Sequence, residues 1–224
     1  MSTGRSRAPR NTLSAELIVD RALALLDARP MESFSMRVLA EDLGVGTMAL
    51  YTYFRGKEEL FRAARERVLA DYVPPSGEGP WHEQLREACL AAYHVFTGRP
   101  AVLRLLAEAS SGDDFADIAM VTMERQLALL RAAGLSRDEA VLANGALLRY
   151  TLGSALREVK ACTSEDFHAT AIRKRLAALS PESHPTLTDL GPEMVRFAQD
   201  GEAQFRFGLD LVITGLREKV AAAG

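Results

Sequence analysis

Three observations predict an all-helical fold in two parts, a small N-terminal domain followed by a larger C-terminal one. Apolar residues recur at helical spacing along nearly all of the chain, and almost nowhere do they alternate as a half-buried strand requires. Serines and glycines stand where helices start and stop. A run of prolines and glycines, Pro74-Pro75-Ser76-Gly77-Glu78-Gly79-Pro80, cannot continue a helix and marks the boundary between the parts.

Residues 1–13 read as a flexible basic arm. Ser14 is placed to cap a first helix whose Ile18, Ala22, Leu25 and Leu26 share one face, and Arg29-Pro30 stops it. Ser35 caps a short second helix carrying Leu39, Ala40 and Leu43, and Gly44 ends it where a left-handed residue costs least. A third short helix is predicted from about Thr47 to Phe54. A fourth, from Lys57 to about Tyr72, keeps Leu60, Phe61, Ala64 and Val68 together and completes a domain spanning 14–72. In the second domain, 81–224, helices are predicted near 81–98, 101–110, 114–133, 136–161 and 164–179. A Pro-, Ser- and Thr-rich loop, 180–192, leads into a last helix with Phe205, Leu209, Val212, Ile213 and Leu216 on one stripe.

The composition narrows the function. No apolar run reaches membrane-spanning length, and MSTGRSRAPRN lacks the apolar core of a secretory signal, so a soluble cytoplasmic protein is expected. Cys89 and Cys162 form no disulfide framework and no zinc spacing. The histidines at 82, 94, 168 and 184 have no i, i+4 partner, which points to no metal and no cofactor. Asp113, Asp114, Asp117, Glu165 and Asp166 suit helix starts better than acid-base chemistry, and no residue is nominated as a nucleophile, so no enzyme is expected. The formal net charge of −3 argues against a general nucleic-acid coat. Its distribution does not: Arg5, Arg7 and Arg10 precede the first helix with no acid among them, and phosphate contacts act within about 8 Å at physiological salt.

The stretch LAEDLGVGTMALYTYFRGKEEL, 39–60, carries no acid between Asp42 and Glu58. Two short helices joined at Gly44-Val45-Gly46 have the dimensions of a helix-turn-helix, whose second helix enters the DNA major groove. Ala40 is small where the helices cross, Val45, Leu50 and Phe54 face inward, and Thr47, Met48, Tyr51 and Tyr53 point out. Hydroxyls bond phosphates or base edges, a methionine touches a thymine methyl, and a carboxylate would be repelled. Lys57, just after the turn and opening the next helix, is placed to meet a phosphate.

Phe34-Ser35-Met36-Arg37-Val38-Leu39-Ala40, Leu43-Gly44-Val45 and Leu50-Tyr51-Thr52-Tyr53-Phe54-Arg55-Gly56-Lys57-Glu58-Glu59-Leu60 together resemble the N-terminal domain of TetR-type transcriptional repressors, over roughly residues 14–72. The resemblance implies that Arg37, Thr47, Met48, Tyr51, Tyr53 and Lys57 lie at DNA-contacting positions. Further on, Tyr150–Leu156 and Gln204–Leu211 resemble the helices that join two subunits in the tetracycline-repressor branch. This implies a homodimer whose interface takes in Gly145, Leu152, Gly153, Leu156, Phe205, Gly208, Leu209, Val212 and Leu216. Glycines at 145, 153 and 208 inside good helices cost about 1 kcal/mol each relative to alanine, and close helix approach is a reason to carry them.

The same layout implies an effector cavity lined by Tyr72, Ala92, Leu106, Met123, Gln126, Asn144 and Leu148, with Gln126 and Asn144 as the polar groups of an apolar wall. Tetracycline repressors hold a magnesium-drug chelate with a histidine and a glutamate. Here no histidine falls between His94 and His168, and Arg157 stands at the glutamate's place, which speaks against that inducer. Small Ala88 and Ala92 leave room for another apolar or drug-like molecule. The reading is a repressor that binds a palindromic operator as a homodimer and is released by a small molecule. The alternatives are a ligand-independent activator and a small helical ligand-binding protein or enzyme.

Overall fold

The computed structural model of the chain describes residues 13–29, 31–70, 72, 77–108, 117–162, 165–198 and 200–223. The basic arm, apart from Leu13, and Pro74–Ser76 of the boundary run lie outside the described residues. Among those described, every regular element is helical. The chain forms two compact units, Met1–Arg67 and Val68–Gly224.

In the first unit α1, Ala15–Ala28, starts where the Ser14 hydroxyl accepts the Leu17 N–H at 3.2 Å and buries Ile18, Val19, Ala22, Leu23, Leu25 and Leu26. After a single 3-10 turn, Met31–Ser33, the Ser35 hydroxyl caps α2, Met36–Leu43, by accepting the Val38 N–H at 3.2 Å. Gly44 ends α2 at φ +67°, and the Val45 N–H returns to the Ala40 carbonyl at 3.0 Å. The third helix, α3, covers only Thr47–Tyr51 and stops short of the predicted Phe54. The N–H groups of Tyr53 and Phe54 converge on the Leu50 carbonyl, each at 3.0 Å, and this turn carries the Phe54 ring inward. α4 spans Lys57–Leu69, also shorter than predicted at its far end, where the Tyr72 N–H closes a turn onto Leu69.

The division between units falls inside α4, ahead of the proline-glycine run. Leu69 packs on the second unit's core and the Tyr72 hydroxyl is 3.4 Å from the Ala88 carbonyl, so the end of α4 and the turn at Tyr72 belong with the larger unit. That unit contains α5, Trp81–Gly98; α6, Pro100–Glu108; α7, Asp117–Ala132; α8, Arg137–Cys162; α9, Glu165–Ala177; α10, Pro185–Asp189; α11, Gly191–Phe197; and α12, Gly201–Ala223. The two short helices α10 and α11 occupy much of the segment predicted as a loop, with Pro at an opening position of each, where its missing N–H is no loss.

α8 is central and packs on α5, α6, α7 and α12. It opens with a capping box: the Ser136 hydroxyl accepts the Glu139 N–H at 3.3 Å and the Glu139 carboxylate accepts the Ser136 N–H at 3.1 Å. The core between these helices holds Leu85, Cys89, Tyr93, Phe96, Leu103, Leu130, Leu147, Phe205, Leu209 and Ile213. The Phe205 ring is sandwiched, 4.2 Å from Tyr93 at 6° and 5.5 Å from Tyr150 at 14°.

Candidate nucleic-acid interface and effector domain

The helix-turn-helix is built by local chemistry. α1 packs on α2 and α2 on α3. An Arg21–Asp42 pair, 2.8 Å and 2.6 Å from two guanidinium nitrogens to one oxygen, ties α1 to the last turn of α2. A five-residue helix is too short to hold itself. α3 is held instead by fully buried Leu50 and by Phe54 just beyond it. Its outward side carries Thr47, half-buried, Met48, 78 % exposed, and Tyr51, exposed. An exposed methionine beside two hydroxyl-bearing residues suits base edges and phosphates together. Arg37 projects from α2 and is 3.6 Å from Glu41, one turn on, a solvent-exposed pair that a phosphate can replace at little cost.

Lys57 opens α4 with its ammonium over two aromatic faces, 4.9 Å from the Phe61 centroid and 5.7 Å from the Phe34 centroid. Those rings are themselves 5.2 Å apart. Both distances lie within the range in which a ring face attracts a cation, so the lysine's stem is packed while its charge stays at the surface. The first turn of α4 also bears Glu58 and Glu59, and the Glu59 carboxylate accepts the Arg55 N–H at 2.5 Å.

Tyr53 departs from its sequence reading. Its ring is exposed, but its hydroxyl donates to the Leu13 carbonyl at 2.5 Å, at the root of the N-terminal arm. No local pattern announces a bond across that sequence separation.

Of the residues anticipated around a cavity, Tyr72 is buried, with its hydroxyl beside Ala88; burial pushes its pKa up, with Cys89 adding to this and Arg125 opposing it. Ala92 and Leu106 are half-buried against the core, and Met123 and Gln126 are half-buried on α7. Asn144 is 7 % exposed, and its Oδ1 has no hydrogen-bond partner, an unmet demand of the kind a bound molecule can fill. Leu148 is exposed and is no part of a closed wall in the single chain. Cys89 is buried beside Thr151, and burial raises its thiol to about 11, which leaves it inert.

The dimer residues need correction. Phe205 at 1 % exposure, Leu209 and Leu216 lie in the subunit's own core, where a partner cannot reach them. Gly208 has an internal reason to be glycine: a Cβ there would stand 2.0 Å from the Tyr150 hydroxyl, which bonds the Gln204 and Phe205 carbonyls, each at 3.2 Å. Gly153, by contrast, is open, with nothing near its Cβ position. Gly145, Leu152, Leu156 and Val212 are half-buried. The apolar side chains that α8 and α12 leave uncovered are Val141, Leu142 and Leu148 on one and Phe207 and Leu211, 69 % and 61 % exposed, on the other. Phe207 is displaced about 200° around the helix from Phe205. A second apolar stripe, at i and i+4, was the signal for it in the sequence.

Among the described residues no group of three or more histidines, cysteines, aspartates or glutamates gathers as a metal site, and His94 lies 3.3 Å from Glu202. No helix among them is long and apolar enough to cross a membrane.

Comparison with known proteins adds independent findings. Residues 18–64 match the family described as "Bacterial regulatory proteins, tetR family", and residues 73–220 match "Tetracyclin repressor-like, C-terminal domain". The chain is 30 % identical to the HTH-type transcriptional repressor DrrR1 of Streptomyces coeruleorubidus, over 98 % of this chain and 83 % of the relative. It is 27 % identical to the class D tetracycline repressor protein of Escherichia coli, over 94 % of this chain and 92 % of that one. Among solved structures, apo ActR from Streptomyces coelicolor superposes with a TM-score of 0.78 at 29 % identity, covering 98 % of this chain and 100 % of ActR. ActR in complex with actinorhodin gives 0.76 at 28 % identity, covering 92 % and 96 %.

Proposed function

Because this chain belongs to the TetR family of bacterial regulators, we propose that it represses transcription by gripping a palindromic operator as a homodimer and lets go when a small molecule binds its larger unit. The outward face of α3 carries the reading: exposed Met48 and Tyr51 and half-buried Thr47 are presented together on a helix whose one buried residue is Leu50. Thr47 and Met48 read base edges, while Tyr51, Arg37 and Lys57 hold phosphates. Two copies join through α8 and α12, using Gly145, Leu148, Leu152, Gly153, Phe207 and Leu211. Two neighbouring helices with uncovered apolar side chains ask for an apolar partner, and two half-sites about 34 Å apart ask for a second recognition helix.

The effector enters near Tyr72, Ala92, Leu106, Met123, Gln126 and Asn144. The orphan Asn144 Oδ1 supports this placement, and so does ActR, a relative of the same architecture bound to actinorhodin. An apolar or drug-like molecule with one hydrogen-bond donor for Asn144 fits these residues. α4 begins at Lys57 and ends beyond the division between units, so it is the element able to pass a shift from effector to operator. A change of a few ångströms in the separation of two recognition helices is enough to lose simultaneous contact.

The test has two arms. Duplexes selected by the protein from a random pool should be palindromic, and Phe207→Glu with Leu211→Glu should turn a sedimenting dimer into a monomer that no longer binds them. A wild-type monomer at micromolar concentration sinks the dimer. A small molecule recovered from the purified protein and titrated by calorimetry should bind more weakly to operator-bound protein, by the factor, typically 5- to 150-fold, with which it weakens DNA. Equal affinity for both forms would refute induction and favour a ligand-independent regulator.

A further inference from the structure

We propose that Phe34 and Phe61 form a paired aromatic platform that orders the Lys57 ammonium in advance for an operator phosphate. The proposal rests on the operator-binding reading above and adds two positioning residues to it, neither of which meets DNA itself. Phe34 is 7 % and Phe61 5 % exposed, so neither ring is free to stack on a base, whereas Lys57 is half-buried. Lys57 and Phe61 stand one turn apart on α4, and Phe34 reaches the same ammonium from the residue before the Ser35 cap of α2. The ring centroids are 5.2 Å apart and the rings are tilted by 50°, so two negative ring faces converge on one cation, 4.9 Å and 5.7 Å away.

A lysine carries its charge on a long flexible stem, and fixing that stem when the charge is captured opposes binding. Here much of the fixing is done before DNA arrives. A carboxylate partner would also hold the ammonium, but it would neutralise the charge that the phosphate needs. A ring face attracts the cation and leaves its full charge in place. The stem packs along the rings while the ammonium stays at the surface. Phe34 also fixes where that charge stands. It lies three residues before Arg37, so the Lys57 ammonium is held beside the entry to α2, the helix that bears the other cation assigned to phosphate.

The experiment measures, in the full chain, affinity for the duplex that the wild-type protein selects, against salt concentration. Lys57→Ala should lower the slope of log K on log salt by about 0.9 per subunit. Replacing the Phe61 ring by that of 3,4,5-trifluorophenylalanine nearly keeps its shape and weakens its negative face. Affinity should then fall about 2- to 12-fold per half-site, the effect of having to order one long side chain on binding. The same ring in a Lys57→Ala chain should change nothing. Phe61→Leu removes the ring and loosens core packing in both backgrounds, so the part of its loss that vanishes with Lys57 should match the loss from fluorination. A fluorinated chain that binds as tightly as wild type or more tightly, or that loses the same factor without Lys57, overturns the platform while operator binding stands. So does a Lys57→Ala chain of unchanged affinity and slope. Failure of the wild-type chain to select any duplex overturns the operator reading itself, and the platform with it.

Discussion

The recognition helix α3, Thr47–Tyr51, and the last helix α12, Gly201–Ala223, both present apolar side chains to the outside, and they do so for different reasons. α3 buries Leu50 alone and borrows its conformation from α2 and from Phe54; what it shows, Met48 with Thr47 and Tyr51, is a mixed surface of apolar and hydroxyl groups. α12 spans the larger unit, sinks Phe205, Leu209, Ile213 and Leu216 into it, and turns a second stripe, Phe207 and Leu211, the other way. An aromatic ring and a leucine one turn apart match another apolar face. Helical period marks both helices and does not distinguish a face meant for DNA, for a second copy or for the subunit itself.

The contrast is sharpest at Phe205. Phe205→Ala should cost the subunit about 3–5 kcal/mol, because it empties the space between the Tyr93 and Tyr150 rings, and chemical denaturation will show it. Phe207→Ala, two residues on, should leave subunit packing intact and act only on association. Equal losses at the two positions would erase the distinction between the stripes.

Gly208→Ala should come next. The added Cβ meets the Tyr150 hydroxyl at 2.0 Å, and overpacking of about 1–3 kcal/mol outweighs the roughly 1 kcal/mol gained in helix propensity. In a Tyr150→Ala background the same change should become neutral or stabilising. A Gly208→Ala chain that melts normally but sediments as a monomer would return this glycine to the dimer interface.

A smaller effect is expected where α8 meets α12. The Lys219 ammonium, 2.9 Å away, and the Ser136 capping box hold the Glu139 carboxyl down to about 2, below its ordinary 4.5. A carboxyl depressed in the folded state stabilises above its unfolded value and loses that contribution as pH falls from about 4.5 toward 2. The melting temperature should therefore drop as pH falls from about 4.5 toward 2, and Lys219→Ala should narrow the drop. An unaltered drop would assign the acid sensitivity elsewhere.

Met48→Ala should have the least effect on stability, within about 0.5 kcal/mol, since the side chain is mostly solvated. Its readout is the set of duplexes selected from a random pool, which should change. A selection identical to that of wild type would remove Met48 from the reading face.

Much of this protein follows from the sequence alone. Ser14 and Ser35 cap the first two helices and Gly44 takes the left-handed turn, all as the pattern indicates. These features are local: a cap acts over three residues and a helical face repeats within four, so the information lies within one window. Only the tertiary structure decided which stripe of α12 is the core, that Gly208 yields to Tyr150, that Tyr53 reaches back to Leu13, and that 185–197 coils into two short helices. In the first three cases the deciding atom belongs to a distant segment, and burial and hydrogen bonding are properties of the pair. In the last, short helices with weak intrinsic propensity form because α9 and α12 give them something to pack on.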